Sequence, residues 1–362
     1  MTNRLTQFFF HATLMISIFA LPAVSGEKAS LSTHGELTID GSMFTNSDAP
    51  FDSVRRSSGR TMLTLDVKTT QLANAKVETL VDFYRLYGLY ADLAAQTLQG
   101  NLPVPAGNSP FYADLRMLYG ALYLPWADIT VGRQIVNFGK GMLFSPLDCF
   151  STVDVTELSL RRSGSDIAMA AIPFGTVTGL DLITTLPQTG TGRTTAARAF
   201  TTISGWDVGF TALHRADSKT TITGIAFKGD LIAGVTGELV TRYDAEHDRT
   251  DGEAMAGIDY SISRTWFFNA EYYYRTDPAA HILYRTHNVF GSLRYMINDL
   301  MNLSLVCIAT VPVENKLVTL QFGWNILQDV TSTAFVRYGS YDASLPLSIP
   351  DTECGVRVVI AF

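Results

Sequence analysis

Beyond its first two dozen residues the chain has no uninterrupted apolar run near the ~18 residues that a membrane-spanning helix requires. That excludes a helical membrane bundle. There are 3 cysteines in 362 residues, Cys149, Cys307 and Cys354. Their odd number argues against a disulfide framework, and their spacing fits no zinc or haem pattern, so neither metal nor cofactor is expected. Cys307 and Cys354 sit among apolar strand positions, where a free thiol behaves as a small hydrophobe. Charged residues make up 17% of the chain, few for a soluble surface. Acids outnumber bases, 34 to 27, for a net charge of −7. With no extended Lys/Arg run, nucleic acid is excluded as a partner.

Apolar content is present, but it comes in short pieces. The first piece reads as an export signal: Arg4 supplies a positive start, "FFFHATLMISIFALPAV" an apolar centre, and "AVSG" small residues for cleavage near Ser25 or Gly26. Residues 1–26 are therefore expected to be removed, leaving 27–362 as one domain. No cysteine follows the cut, which excludes a lipoprotein anchor.

From Ser32 onward the chain alternates. In "WFFNAEYYYR", Trp266, Phe268, Ala270, Tyr272 and Tyr274 share one face, and Asn269, Glu271 and Arg275 the other. "EAMAGIDYSI" and "NVFGSLRYMI" repeat the pattern. A period of two over about ten residues marks a strand with one apolar face. About eighteen such segments can be counted, or about sixteen if the weak stretches 75–87, 196–203 and 302–310 merge or slip.

The connections differ systematically. Short turns are expected at 72–75, 125–126, 174–175, 204–205, 228–229, 263–265, 298–299 and 327–329. Between them lie 44–59, 88–109, 136–163, 187–195, 215–218, 242–252, 275–286, 311–314 and 339–352, most of them long and polar. Short turns on one rim and longer loops on the other describe a transmembrane antiparallel up-and-down β-barrel, all-β in class. A secreted sandwich needs no such rhythm, and a propeller would show a blade repeat that is absent. Trp126, Trp206, Trp266, Tyr274, Trp324 and Tyr338 gather near segment ends, where interfacial aromatics belong. In lipid an unpaired backbone N–H or C=O costs several kcal/mol, about as much as a marginal fold can spare, so the sheet must have no edge. The last strand should accordingly pair with the first, over about Ser32–Phe44.

The chain ends on "VRVVIAF". Phe362, with Ile360, Val358 and Val356 alternating before it, resembles the C-terminal signature of Gram-negative outer-membrane β-barrel proteins. The likeness implies an outer-membrane, porin-like protein whose terminal strand is read by the barrel-assembly machinery and whose wall contacts outer-membrane lipid. A narrower stretch, "VGRQIVNFGKGMLFSPLDCF" (131–150), resembles the Gly-Arg-Gln segment of some porin-like and polysaccharide-export-like barrels. The resemblance implies passive diffusion of small hydrophilic solutes. An export or scaffold barrel and an adhesin-like surface barrel are the alternatives, and homo-oligomers occur among such proteins.

An eighteen-stranded barrel encloses room for an aqueous lumen. By parity the inward polar groups are Asp66, Lys68, Glu78, Asp82, Asp114, Arg116, Asp207, Glu253, Asp259, Asn269, Glu271, Arg294 and Arg357. Opposed charges across water orient small polar solutes and set ion preference. Segment 136–163 is the most informative loop. It is too apolar (Phe138, Met142, Leu143, Phe144, Leu147, Phe150) to stand in water, and loops of this length tend to be functional. Folded into the lumen, it would present Lys140, Asp148, Asp154, Glu157, Arg161 and Arg162 at the narrowest point. Gly139 and Gly141 are expected to serve turns, since "GKG" lacks the strand–loop–helix context of a phosphate cradle. Arg133 falls on the outward parity of Ile129 and Val131, which favours a structural bond to loop carbonyls or Asp148 over solute binding. Of the histidines beyond the expected signal segment, His34, His214, His247, His281 and His287, none has a serine in a recognisable catalytic arrangement, so no enzymatic activity is expected.

Overall fold

The computed structural model describes residues 30–45, 56–70, 74–91, 111–151, 153, 158, 161–186, 192–276, 286–311, 315–340 and 351–362. The expected signal segment 1–26 lies outside them, as do Asp154 and Glu157. Eighteen strands follow in chain order: β1 Ser30–Thr45, β2 Arg56–Thr70, β3 Ala75–Gly88, β4 Phe111–Tyr123, β5 Asp128–Gln134, β6 Ser165–Pro173, β7 Gly179–Thr185, β8 Thr194–Ile203 and β9 Trp206–Arg215 complete the first half. β10 Thr220–Asp230, β11 Gly234–Asp244, β12 Arg249–Ser261, β13 Trp266–Arg275, β14 His287–Asn298, β15 Met301–Val311, β16 Lys316–Leu327, β17 Val330–Ser340 and β18 Thr352–Ala361 complete the second.

The strands form one antiparallel sheet that closes on itself through β1 and β18. Glu36 stands opposite Ala361 and Thr45 opposite Thr352. The backbones of Gly35 and Phe362 exchange both hydrogen bonds, at 2.8 and 2.9 Å. The Phe362 ring lies over the space where a Cβ on Gly35 would sit. An aromatic ring thus covers a bare glycine at the seam and ties down the chain end.

Contacts group into two compact units. One comprises the start of β1 up to Thr33, Asp66–Leu80 and Leu115–Gly257; the other comprises His34–Leu65, Val81–Asp114 and Ile258–Phe362. In the first, the two faces of each strand differ as the alternation requires. On β10, Ile222 and Ala226 are buried while Ile225 is exposed; on β11, Glu238 and Val240 are buried while Leu239 is 56% exposed. In the second unit Ile39, Met43, Val336 and Val356 are likewise exposed, against buried Asp40, Ser42 and Glu353. The apolar outer face of both units is the pattern that a lipid solvent selects; the inner face is polar in the second unit and carries apolar groups as well in the first.

Most expected boundaries match within one to three residues. The turn placed at 228–229 lies at 231–233, because β10 runs on to Asp230. The connection 242–252 shrinks to 245–248, since β11 and β12 extend to Asp244 and from Arg249. The weak stretches 75–87, 196–203 and 302–310 are separate strands, so the count among the described residues is eighteen and not sixteen. Each pairs on both sides, and ladder hydrogen bonds outweigh their modest local propensity. Trp206 and Trp266 begin strands, and Trp126 stands 62% exposed in a turn.

Candidate functional site

β5 ends at Gln134 and β6 begins at Ser165, which leaves segment 135–164 between them. Its apolar residues do not point to water. Phe138, Leu143, Phe144, Leu147 and Phe150 are all buried, whereas Met142 is 45% exposed. Val136, Phe138, Leu147 and Phe150 form one cluster with Ile167, Ile183, Ala196, Leu213, Ile222, Ala226 and Val240. Those wall residues lie on the faces opposite to exposed Leu182, Phe210, Ile225 and Leu239. Residues 136–150 of the segment therefore pack on the inner face of β6–β11. Burying side chains of this size is worth roughly 1.5–3 kcal/mol each. Gly224 makes the approach possible, because a Cβ there would stand 2.8 Å from Leu147 Cδ2.

Irregular backbone brought against a wall needs partners for its N–H and C=O groups. The wall supplies them from side chains. Glu238, fully buried on β11, accepts hydrogen bonds from the N–H groups of Lys140 (2.6 Å), Gly141 (3.1 Å) and Leu147 (3.1 Å), and from Ser145 Oγ (3.1 Å). Guanidiniums take the carbonyls: Arg242 donates to Pro146 O and Arg215 to Cys149 O, both at 3.5 Å. Arg242 is itself held by Glu253 at 2.5 Å. A carboxylate among several N–H donors is a strong, charge-assisted arrangement.

Gly139 and Gly141 were expected to serve turns, and to this the structure adds a close approach. A Cβ on Gly139 would fall on Ser145 Oγ and lie 2.8 Å from Glu238 Oε1. One on Gly141 would fall on Phe144 O and lie 2.8 Å from Met255 Cε. The glycines bring backbone donors close to an anion, and that anion is the protein's own carboxylate.

The far end of the segment is pinned by charge. Arg162 pairs with Asp148, whose Oδ1 accepts from Ser151 Oγ at 2.9 Å, and Ser151 Oγ also reaches Val136 O at 3.0 Å. Val153 and Arg162 form an isolated antiparallel bridge. Arg116 donates to Arg162 O at 3.4 Å. Lys140 Nζ lies 4.0 Å from Asp207 Oδ2. Arg198, 3.5 Å from Asp181, lies over both the Phe138 and Phe200 rings, 5.3 and 5.0 Å from their centroids. Burial pushes the Cys149 thiol above its ordinary value, against the pull of Arg242 and Arg215.

Of the residues expected at the narrowest point, Asp148 and Arg162 are brought together with Arg116, whereas Lys140 stands by Asp207 and Glu238. Arg133 donates to Gly164 O at 3.4 Å and lies 3.5 Å from Asp166, not from Asp148. The other expected pore residues stand in the second unit. Arg357 shares Asp40 with Arg60, at 2.6 and 2.9 Å. Glu271 is buried and Arg294 exposed, both on inward parity. Nearby, Glu353 receives Arg337 at 3.2 Å and the Tyr90 hydroxyl at 2.6 Å. Burial, and then the Glu353 charge, raise the Tyr90 phenol.

Glu238, Arg242, Arg215 and Asp40 were not singled out from sequence. The alternation "VTGELVTR" does place Glu238 and Arg242 on one face, but nothing local says which backbone they hold.

No family model matches the chain, and no curated protein does. Solved structures do. OccAB4 of Acinetobacter baumannii superposes with a TM-score of 0.60 at 8% identity, over 91% of this chain and 98% of that one. OccAB3 of the same organism gives 0.59 at 10% identity, over 91% and 99%. OpdK of Pseudomonas aeruginosa, in a structure with vanillate, gives 0.57 at 7% identity, over 91% and 98%. At such identities the likeness is one of fold alone, that of a closed antiparallel β-barrel.

Proposed function

We propose that the chain is an outer-membrane channel for passive diffusion of small hydrophilic solutes, narrowed by segment 135–164. The observation that carries this reading is the anchoring of that segment to the inner wall through Glu238. A surface-binding barrel would gain nothing by holding its longest described loop inside. Diffusion requires no catalytic group and no cofactor; it requires an aqueous path, a narrowing and fixed charges beside it. Lys140, Arg116, Arg161 and Arg162 would supply cations there, with Asp148 as counter-charge; Glu271, Arg294 and Arg357 would line the lumen within the second unit. In the same reading, Asp154 and Glu157 add acid to the segment, residues 1–26 direct export, and Phe362, Ile360 and Val358 direct assembly.

The test is conductance of the purified protein in planar lipid bilayers. Discrete open steps are expected, and removal of 137–162 should enlarge them. Silence under every voltage would overturn the channel in favour of a scaffold. Steps of unchanged size after the deletion would place the narrowing elsewhere. A solute panel should include small aromatic carboxylates, since one structure of similar fold was determined with vanillate.

A further inference from the structure

The connection expected at 88–109 does not leave the rim directly. β3 ends at Gly88, whose φ of 58° lies in the left-handed region. A Cβ there would fall on Ser57 O, so glycine lets the chain turn this close to β2. One helical turn follows over 89–91. Ser58 fixes its entry: Oγ accepts the Tyr90 N–H and donates to Tyr87 O, both at 3.0 Å. Leu89 and Ala91 are buried.

Tyr90 meets the inner face of the wall. Phe44 on β1, Glu353 on β18 and Arg337 on β17 stand opposite one another in register. Their row is the inner one, because the alternate row, Met43, Cys354 and Val336, is exposed. Tyr90 Oη donates to Glu353 Oε1 at 2.6 Å, and its ring meets that of Phe44 edge-on, with centroids 5.7 Å apart. Arg337 donates to the other oxygen, Oε2, at 3.2 Å. Both oxygens of a buried carboxylate are thus occupied. An O–H···O⁻ bond is charge-assisted and belongs to the stronger kind. Phe44 and Glu353 each sit one residue in from the loop-rich end of their strand.

Segment 135–164 is held by the same device, in the other unit. Backbone leaving a strand bends inward and is tied to a buried carboxylate of the wall. A helical turn with its side chains is about 10–12 Å across, so Leu89–Ala91 take up about that width of the opening beside β1 and β18.

We propose that Tyr90 is a positioning residue for permeation. By bonding Glu353 it holds Leu89–Ala91 inside the loop-rich mouth, as a narrowing separate from segment 135–164. The inference rests on the channel reading. A tyrosine that merely braced the seam would add stability and leave the opening as it is.

Tyr90→Phe removes one oxygen and keeps the ring against Phe44; Glu353→Gln keeps the acceptor's shape and removes its charge. In the mature protein in detergent, amide hydrogen exchange over 89–91 should quicken about tenfold in Tyr90→Phe, as loss of a charge-assisted bond allows. Exchange over β11 should stay at the wild-type rate. In planar bilayers each variant should show an added, larger open level. The double variant should show a level no larger than the singles do, because both changes act through one bond. Open steps of wild-type size in both variants would overturn the proposal, even with a lowered unfolding midpoint, since a brace predicts that result. Unchanged exchange over 89–91, or effects on the level that add in the double variant, would overturn it as well. A silent wild type would remove the channel reading and the permeation role with it, and quickened exchange would then leave Tyr90 a brace.

Discussion

Glu238 satisfies four donors of one segment with two oxygens. Replacing it by Gln keeps the shape but sets an N–H₂ group against backbone N–H groups. Leaving buried donors unpaired costs roughly 1–3 kcal/mol, comparable to the gain from one of the buried phenyl rings. Glu238→Gln should therefore loosen the segment without unfolding the wall. The expected outcome is noisier open-channel current in planar bilayers. Cys149 gives a second readout. Its thiol is partly buried and held above its ordinary pKa by that burial, so thiolate is scarce at neutral pH and alkylation is slow. In Glu238→Gln that alkylation should quicken by about tenfold or more, with the thiol pKa falling toward its ordinary value as water reaches it. Gly141→Ala should act the same way from the other side of the contact, because its Cβ would fall on Phe144 O.

At the scale of the strand, the two faces answer to different solvents. Leu239 and Glu238 are neighbours on β11, one 56% exposed and the other fully buried. Leu239→Arg places a charge on the lipid face near the middle of a strand. It should cost roughly 2–4 kcal/mol, read from urea titration of the protein folded into phospholipid vesicles. Lys228→Ala, on the inner parity of β10, should leave that titration within about 0.5 kcal/mol of the wild type. Alternation made this distinction readable in advance, since a period of two assigns faces without knowing what either face touches. The same rule put Arg133 outside, where Asp166 meets it. It could not foresee that Gly139 and Gly141 admit a carboxylate. That carboxylate comes from a residue 98 positions away from Lys140 in the chain, and no local pattern records a partner at that distance.

For the whole molecule the decisive contact is the seam. Asp40 on β1 accepts from Arg357 on β18 and from Arg60 on β2, so one carboxylate stands between two guanidiniums. Asp40→Asn removes the charge and leaves the two arginines facing each other, half out of water. Breaking a buried ion pair from one side costs roughly 3–5 kcal/mol, against a few tenths for an exposed one. The expected result is a lower unfolding midpoint in denaturant and a smaller folded fraction on unheated gels; an unchanged midpoint would show that the ladder alone closes the sheet. Removing Phe362 should reduce assembly in cells more than stability in vitro, because its ring covers Gly35 and otherwise stands exposed.

The strand order, the two faces of each strand and the closure of the sheet were all legible in the residues. Backbone hydrogen bonding in lipid permits one solution for eighteen short alternating segments, a ring without an edge. Tertiary structure alone decided which charges are spent on holding the protein together. Asp40 and Arg357 are 317 positions apart, and Glu238 meets a loop from another part of the wall. Alternation says that such groups point inward; only the closed ring, by bringing distant strands within a few ångströms, says whom they meet.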